Sequence, residues 1–274
     1  MDVSSHASRW LIALILVPVL GAVIFAGQPI VFDLAVILVG ILALREYYAM
    51  VLGSPGLTLS FIGVLGLVLI MIGAGLNLPG SHIISLVVAL WLGFFYFLFH
   101  HSSIPEIAAQ VGFFSLGHVY ISLVLSFLIC LYALTDGYLW ITFILLVTFL
   151  ADTAAYYVGQ SLGRRPLYTS ISPHKTLEGL LAGIIGASLV ALASVLILLP
   201  GRIFWYEAIL LGILMGFWGA MGDLFESMLK RAAGVKDSGG LLLGHGGLLD
   251  RVDALLFNIP LVYFFVVFRI GSGN

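Results

Sequence analysis

Residues 56–77 read GLTLSFIGVLGLVLIMIGAGLN, with no Asp, Glu, Lys or Arg anywhere in the run. A helix crosses the hydrocarbon of a bilayer with ~20 apolar residues, so this stretch predicts a transmembrane span. Working outward, similar apolar runs predict helices near 9–26, 30–52, 82–100, 112–133, 138–160, 177–200, 203–229 and 252–270. The breaks between them fall on turn residues: Gly27-Gln28-Pro29, Gly53-Ser54-Pro55, Pro79-Gly80-Ser81, Asp136-Gly137 and Pro200-Gly201. The runs are continuous and lack the apolar/polar alternation of a barrel, so strands are not expected. The predicted fold is all-α, a polytopic membrane protein with about nine transmembrane helices.

Composition agrees. Of 274 residues, 62% are apolar, and 11 Lys+Arg with 13 Asp+Glu make only 9% charged. Soluble domains carry roughly 25% charge, so no sizeable soluble domain is expected. The chain contains a single cysteine, Cys130, which excludes a disulfide framework and a cysteine-ligated metal. Arg9 followed by an apolar stretch resembles a signal peptide, but no clean small-x-small cleavage site follows, and a retained first helix is expected. One integral membrane domain is therefore expected over 1–274, with 1–150 as helical scaffold, 151–255 carrying the chemistry and 256–274 as the last helix.

Nine spans with a cytoplasmic N-terminus place Arg9, Arg45, Arg164, Arg165, Lys175, Lys230, Arg231, Lys236 and Arg251 inside, and only Arg202 and Arg269 outside. Nine against two obeys the positive-inside rule. Both polar loops, about 161–176 and 230–251, are then expected on the cytoplasmic side. The first 150 residues hold five acids and two bases; the remainder holds eight acids and nine bases. The segment 101–110 reads as a surface connection. His118, alone in an apolar helix, reads as a packing residue.

An ionised side chain at the centre of a membrane helix costs about 2.5–3.5 kcal/mol on insertion scales and persists only facing protein, a partner or water. Asp152 and Asp223 both stand late in apolar runs. Asp223, Ser227 and Lys230 fall at i, i+4 and i+7, one face of a helix. Glu226 and Lys230 form an i,i+4 pair in the favourable order, which gives Glu226 a structural reading. Gly216, Gly219 and Gly222 let another backbone or a ligand approach that face closely.

The loop from Lys230 to Asp253 combines Lys230, Arg231, Lys236 and Arg251 with Asp237, Asp250 and Asp253 and a Gly244-His245-Gly246-Gly247 turn. Glycines leave backbone N–H groups available to phosphate oxygens, and Lys and Arg neutralise polyphosphate charge. Carboxylates among such cations make sense if a divalent ion bridges them to phosphates. Upstream, Ser172-Pro173 followed by Lys175-Thr176 and Glu178 reads as a helix start, whose unpaired N–H groups would face an anion. The spacing is not that of a Walker P-loop, and neither His174 nor His245 has a zinc-type partner.

Ser227-x-Leu229-Lys230-Arg231-x4-Lys236-Asp237-x-Gly239, followed by His245-Gly246-Gly247-Leu248-x-Asp250-Arg251-Val252-Asp253, closely resembles the signature of the phosphatidate cytidylyltransferases, or CDP-diacylglycerol synthases. Ala151-Asp152-Thr153 and Ser172-Pro173-x-Lys175-Thr176-x-Glu178-Gly179 resemble two further motifs of that family, in its order. The likeness covers about 150–255. Leu243, Ala154 and His174 depart from residues common in the family, but no charged motif position is lost. The resemblance implies CMP transfer from CTP to phosphatidic acid, giving CDP-diacylglycerol and pyrophosphate. It also implies a homodimer in a bacterial inner membrane with the site facing the cytoplasm, and no nucleic-acid partner.

The resemblance further implies Mg²⁺, with K⁺ as a candidate second cation, at Asp223 and Asp250. Catalytic positions are then Asp223, Asp250, Lys230 and Arg251. Substrate-binding candidates are Ser172, Lys175, Thr176, Ser227, Arg231, Lys236, Asp237, His245, Gly246, Gly247 and Asp253. Asp253 and Asp237 either orient Arg251 and Lys236 or join the metal shell. A CDP-archaeol synthase or a polyprenol kinase would use the same loops with another lipid pocket. An ion-coupled transporter predicts inverted repeats, and none is present in the sequence.

Overall fold

The structure is a computed structural model, and it describes residues 18–53, 55–76, 78–100, 103–239 and 246–269. After a helical stretch at 18–25 comes α1 (Pro29–Val51). Seven further helices are long and apolar enough to cross a membrane: α2 (Leu57–Gly75), α3 (Ser81–Phe99), α4 (Ile104–Tyr132), α5 (Gly137–Leu162), α6 (Leu177–Leu198), α7 (Trp205–Ala232) and α8 (Leu249–Arg269). The chain is an all-α polytopic membrane protein. Large apolar side chains remain exposed along these helices, among them Phe61, Trp91, Phe95, Ile185, Leu189 and Leu196, as a lipid-facing surface requires. The first half of the expected span near 9–26 lies outside the described residues, and 18–25 of it is helical.

Two expectations are corrected. From Ile104 the segment read as a surface connection is already helix, because Pro105 and Glu106 occupy the first turn of α4. Proline needs no N–H there and an acid suits the positive helix end. Strands do occur: β1 (Pro166–Tyr168) pairs antiparallel with β2 (Ser172–Thr176), closed by a turn in which Ile171 N–H donates to the Tyr168 carbonyl. Pro173 disfavours helical backbone at Ser172 and is tolerated in a two-stranded edge.

The chain separates into two compact units, Met1–Leu134 with Asp237–Arg251, and Thr135–Lys236 with Val252–Asn274. In the first, aromatic side chains pack against glycines. The Phe114 ring fills the space beside Gly93, and Tyr48 covers Gly63 and Gly117. The Tyr47 and Tyr48 hydroxyls of α1 donate to the Phe113 and Phe114 carbonyls of α4. Between Ile104 and Tyr132 the helix contains a π-helical turn, His118–Leu123. His118 is fully buried there, hydrogen-bonded through Nδ1 to the Ser122 hydroxyl and set edge-on against Phe114, the packing role its isolation suggests. Gly80, with φ of +76°, turns the chain into α3.

The second unit is a bundle held by small residues. Gly212 and Gly216 of α7 lie against the backbone of α6 at Ala187, Ser188 and Ile184. Gly219 and Gly222 of the same helix lie against α8, where a Cβ on Gly222 would stand 2.6 Å from the Asp253 carbonyl. The close approach read from Gly216, Gly219 and Gly222 is thus made by neighbouring helices. A buried polar link crosses this core, Asn258 Nδ2 donating to Thr148 Oγ1 at 3.0 Å.

Candidate active site

Four elements of the second unit converge on one group of charges. Late α5 carries Asp152, the hairpin delivers Lys175, the last turns of α7 carry Asp223, Glu226 and Lys230, and α8 carries Asp253. Asp223, Glu226 and Asp253 each offer a carboxylate oxygen, all within 4.8 Å of one another. Glu226 is fully buried and Asp253 is 8% exposed, while the Asp223 side chain is 41% exposed. Asp152 lies within electrostatic reach of Asp223 and Lys175. The absence of a side chain at Gly222 lets α7 and α8 come close enough to bring Asp223 beside Asp253.

Buried carboxylates need compensation. Lys175 Nζ stands 2.6 Å from Asp223 Oδ1, and Lys230 Nζ stands 2.5 Å from Glu226 Oε2. Glu226 and Lys230 thus form the i,i+4 pair read from the sequence, and Glu226 also joins the carboxylate group, a role that reading left out. Lys175 and Lys230 thus pair with two of the four acids. Three clustered hard oxygen donors suit Mg²⁺ better than a softer metal.

The hairpin holds Lys175 by local bonds. Glu178 Oε2 accepts from the N–H groups of Arg164 and Arg165 at 3.1 and 3.2 Å, and Leu177 N–H donates to the Arg165 carbonyl at 2.9 Å. Thr176 caps α6, its Oγ1 accepting from Gly179 N–H at 3.1 Å. The helix therefore starts after Thr176. Ser172, expected at a helix start, lies in β2 instead, and Lys175 is directed to Asp223.

The other sequence candidates are distributed as follows. Ser227 is buried. The exposed Arg231 donates to the carbonyls of Ile171 and Val235 at 3.3 and 3.4 Å, fastening the α7 terminus to the hairpin. Lys236, Asp237 and Arg251 are exposed. His245 lies outside the described residues.

Asp250 belongs to the first unit. Its Oδ2 accepts from Gly247 N–H at 2.7 Å and from Ser238 N–H at 3.2 Å. The Gly246-Gly247 turn, with φ of +79° at Gly246, thus gives its Gly247 donor to Asp250. A second carboxylate of this unit was missed. Glu46 of α1 accepts from Leu249 N–H at 2.9 Å through Oε2. The signal existed: Arg45-Glu46 interrupts an apolar helix, the same anomaly that singled out Asp152 and Asp223.

A sequence profile described as "Cytidylyltransferase family" matches residues 7–269. The phosphatidate cytidylyltransferase of Bacillus subtilis (strain 168) is 41% identical over 157 residues, which is 57% of this chain and 58% of that protein. That of Synechocystis sp. (strain ATCC 27184 / PCC 6803 / Kazusa) is 46% identical over 132 residues, 45% of this chain and 42% of its own length. Phosphatidate cytidylyltransferase 5, chloroplastic, of Arabidopsis thaliana is 48% identical over 120 residues, 42% of this chain and 29% of that protein. The chain thus spans about half, or less, of the length of the curated relatives it matches.

Proposed function

This chain belongs to the cytidylyltransferase family, and on that premise we propose that it is a phosphatidate cytidylyltransferase, joining CMP from CTP to phosphatidic acid to give CDP-diacylglycerol and pyrophosphate. The observation that carries the reading is the group of Asp223, Glu226 and Asp253, balanced by Lys175 and Lys230, within a chain whose relatives carry that name.

The chemistry asks little of a general base. A phosphatidate oxygen, already anionic near neutral pH, attacks the α-phosphorus of CTP; the new P–O bond forms as the bond to the β-phosphate oxygen breaks, and pyrophosphate leaves. The obstacle is repulsion between two polyanions, which positioning and charge neutralisation overcome. Asp223, Glu226 and Asp253 would hold Mg²⁺, which supplies charge neutralisation to the polyphosphate when bound; K⁺ is the second cation to test. Lys175 and Lys230 hold Asp223 and Glu226 in place. Arg231, Lys236 and Arg251 are exposed and serve the phosphates. The charge bias of the loops supports a site facing the cytoplasm, where CTP is available, of a bacterial inner membrane.

The test is pyrophosphate release by detergent-purified protein given CTP, phosphatidic acid and Mg²⁺ singly and together. Release that requires all three, with CDP-diacylglycerol as product, supports the reading. CDP formation with transfer of the γ-phosphate to a polyprenol overturns it, as does strong preference for an archaeal-type lipid phosphate across a panel.

A further inference from the structure

We infer that Glu46 is a positioning residue that sets the shape of the glycine turn within the signature loop, from the half of the chain where the motifs are absent. The kinetic consequence rests on the proposed cytidylyltransferase reading; the structural one does not.

The Glu46 carboxylate is enclosed by both ends of the loop. Its Oε2 accepts from Leu249 N–H at 2.9 Å, across 203 positions of sequence. A Cβ added at Gly239 would stand 2.7 Å from Glu46 Oε1, 2.9 Å from Cδ and 3.0 Å from Cγ, so all three of its nearest atoms belong to Glu46. A Cβ at Gly247 would stand 2.7 Å from Glu46 Oε2 and 2.8 Å from Gly239 N. Gly239 and Gly247 are therefore side by side, with the carboxylate against both. Asp250 ties the same two ends by another route, accepting from Ser238 N–H and Gly247 N–H.

Glu46 Oε1 and the Ser238 hydroxyl are buried with no hydrogen-bond partner among the described residues. A carboxylate set into an apolar helix in this way is costly, and the backbone bond to Leu249 alone would be served by an uncharged acceptor. What the charge adds is attraction to the N-terminus of α8, where the helix dipole and unpaired N–H groups are concentrated. Lys236 and Asp237 precede the clasp and Arg251 follows it, so Glu46 fixes where the loop's charged residues start and stop without touching substrate.

The test is a double-mutant cycle on the full chain in lipid nanodiscs, with elution profile and thermal unfolding confirming the fold. Glu46→Ala lowers kcat/KM for CTP by roughly 10- to 100-fold, the scale of a lost charged hydrogen bond, while KM for phosphatidic acid is unchanged. Gly239→Ala alone lowers it comparably, because its methyl collides with Glu46. In the Glu46→Ala background Gly239→Ala costs nothing further, since the colliding atoms are gone. Glu46→Gln, which retains an acceptor for Leu249, stays closer to wild type than Glu46→Ala. Additive losses in the cycle, or equal effects of Gln and Ala, overturn the inference. Amide hydrogen exchange at Leu249 decides it without any assay of turnover: faster exchange in Glu46→Ala supports the clasp, and unchanged exchange overturns it. If the wild-type protein transfers no CMP to phosphatidic acid, the functional reading fails while this measurement still stands.

Discussion

Two groups of carboxylates in this molecule meet opposite kinds of partner. Asp223 and Glu226 face the ammonium groups of Lys175 and Lys230. Glu46 and Asp250 face backbone N–H groups at Leu249, Gly247 and Ser238. An ammonium group neutralises charge but leaves the carboxylate open to a competing cation. A backbone N–H leaves most of the charge in place and instead fixes the path of the chain. Acid residues thus meet two fates here, gathered against ammonium groups in one unit and tied to the backbone of a loop in the other.

The comparison breaks most readily at Asp223. Asp223→Asn is expected to reduce CMP transfer by roughly 10³-fold or more, with elution and thermal unfolding near wild type; near-normal turnover would remove Asp223 from the metal group. Asp250→Asn sharpens the contrast, because the amide oxygen still accepts from Gly247 and Ser238. A loss well short of that of Asp223→Asn is expected, because the loop keeps its shape, whereas a loss as complete would show that the charge of Asp250 is itself required.

A smaller effect, on stability, is expected at the buried ion pair. Glu226→Gln removes the carboxylate paired with the Lys230 ammonium, whose side chain is only 12% exposed, and should destabilise by about 3 kcal/mol. Adding Lys230→Met should recover part of that loss in thermal unfolding; a further drop would show that the two do not act as a pair. The smallest effect is at the hairpin. Thr176→Ala removes the cap on Gly179 N–H and should cost ~1 kcal/mol, with a modest fall in activity as Lys175 loosens; unchanged unfolding would dismiss the cap.

Most of the spans were legible because length and lack of charge are local properties. α5 was expected over 138–160 and runs Gly137–Leu162; α6 was expected over 177–200 and runs Leu177–Leu198. The hairpin was not, since strands of Pro166–Tyr168 and Ser172–Thr176 are too short to display an alternation. Glu226 was read as half of an ion pair, which is true, and that sufficient local explanation concealed its place beside Asp223 and Asp253. Glu46 escaped for the opposite reason. Its partner is 203 residues away, and no spacing rule reaches across that distance.

The glycines of α7 carry a consequence for how this helix tolerates change. It is stripped of side chains where it meets α6 and α8, yet Ile213, Phe217 and Trp218 stand 42%, 42% and 41% exposed on its remaining surface. In a saturation library the helix would therefore show a two-tone record, permissive at 213, 217 and 218 to almost any apolar residue. At 212, 216 and 222, where a Cβ would meet neighbouring backbone, it would be closed even to alanine, and drift in the lineage would be channelled into the stripe that touches lipid.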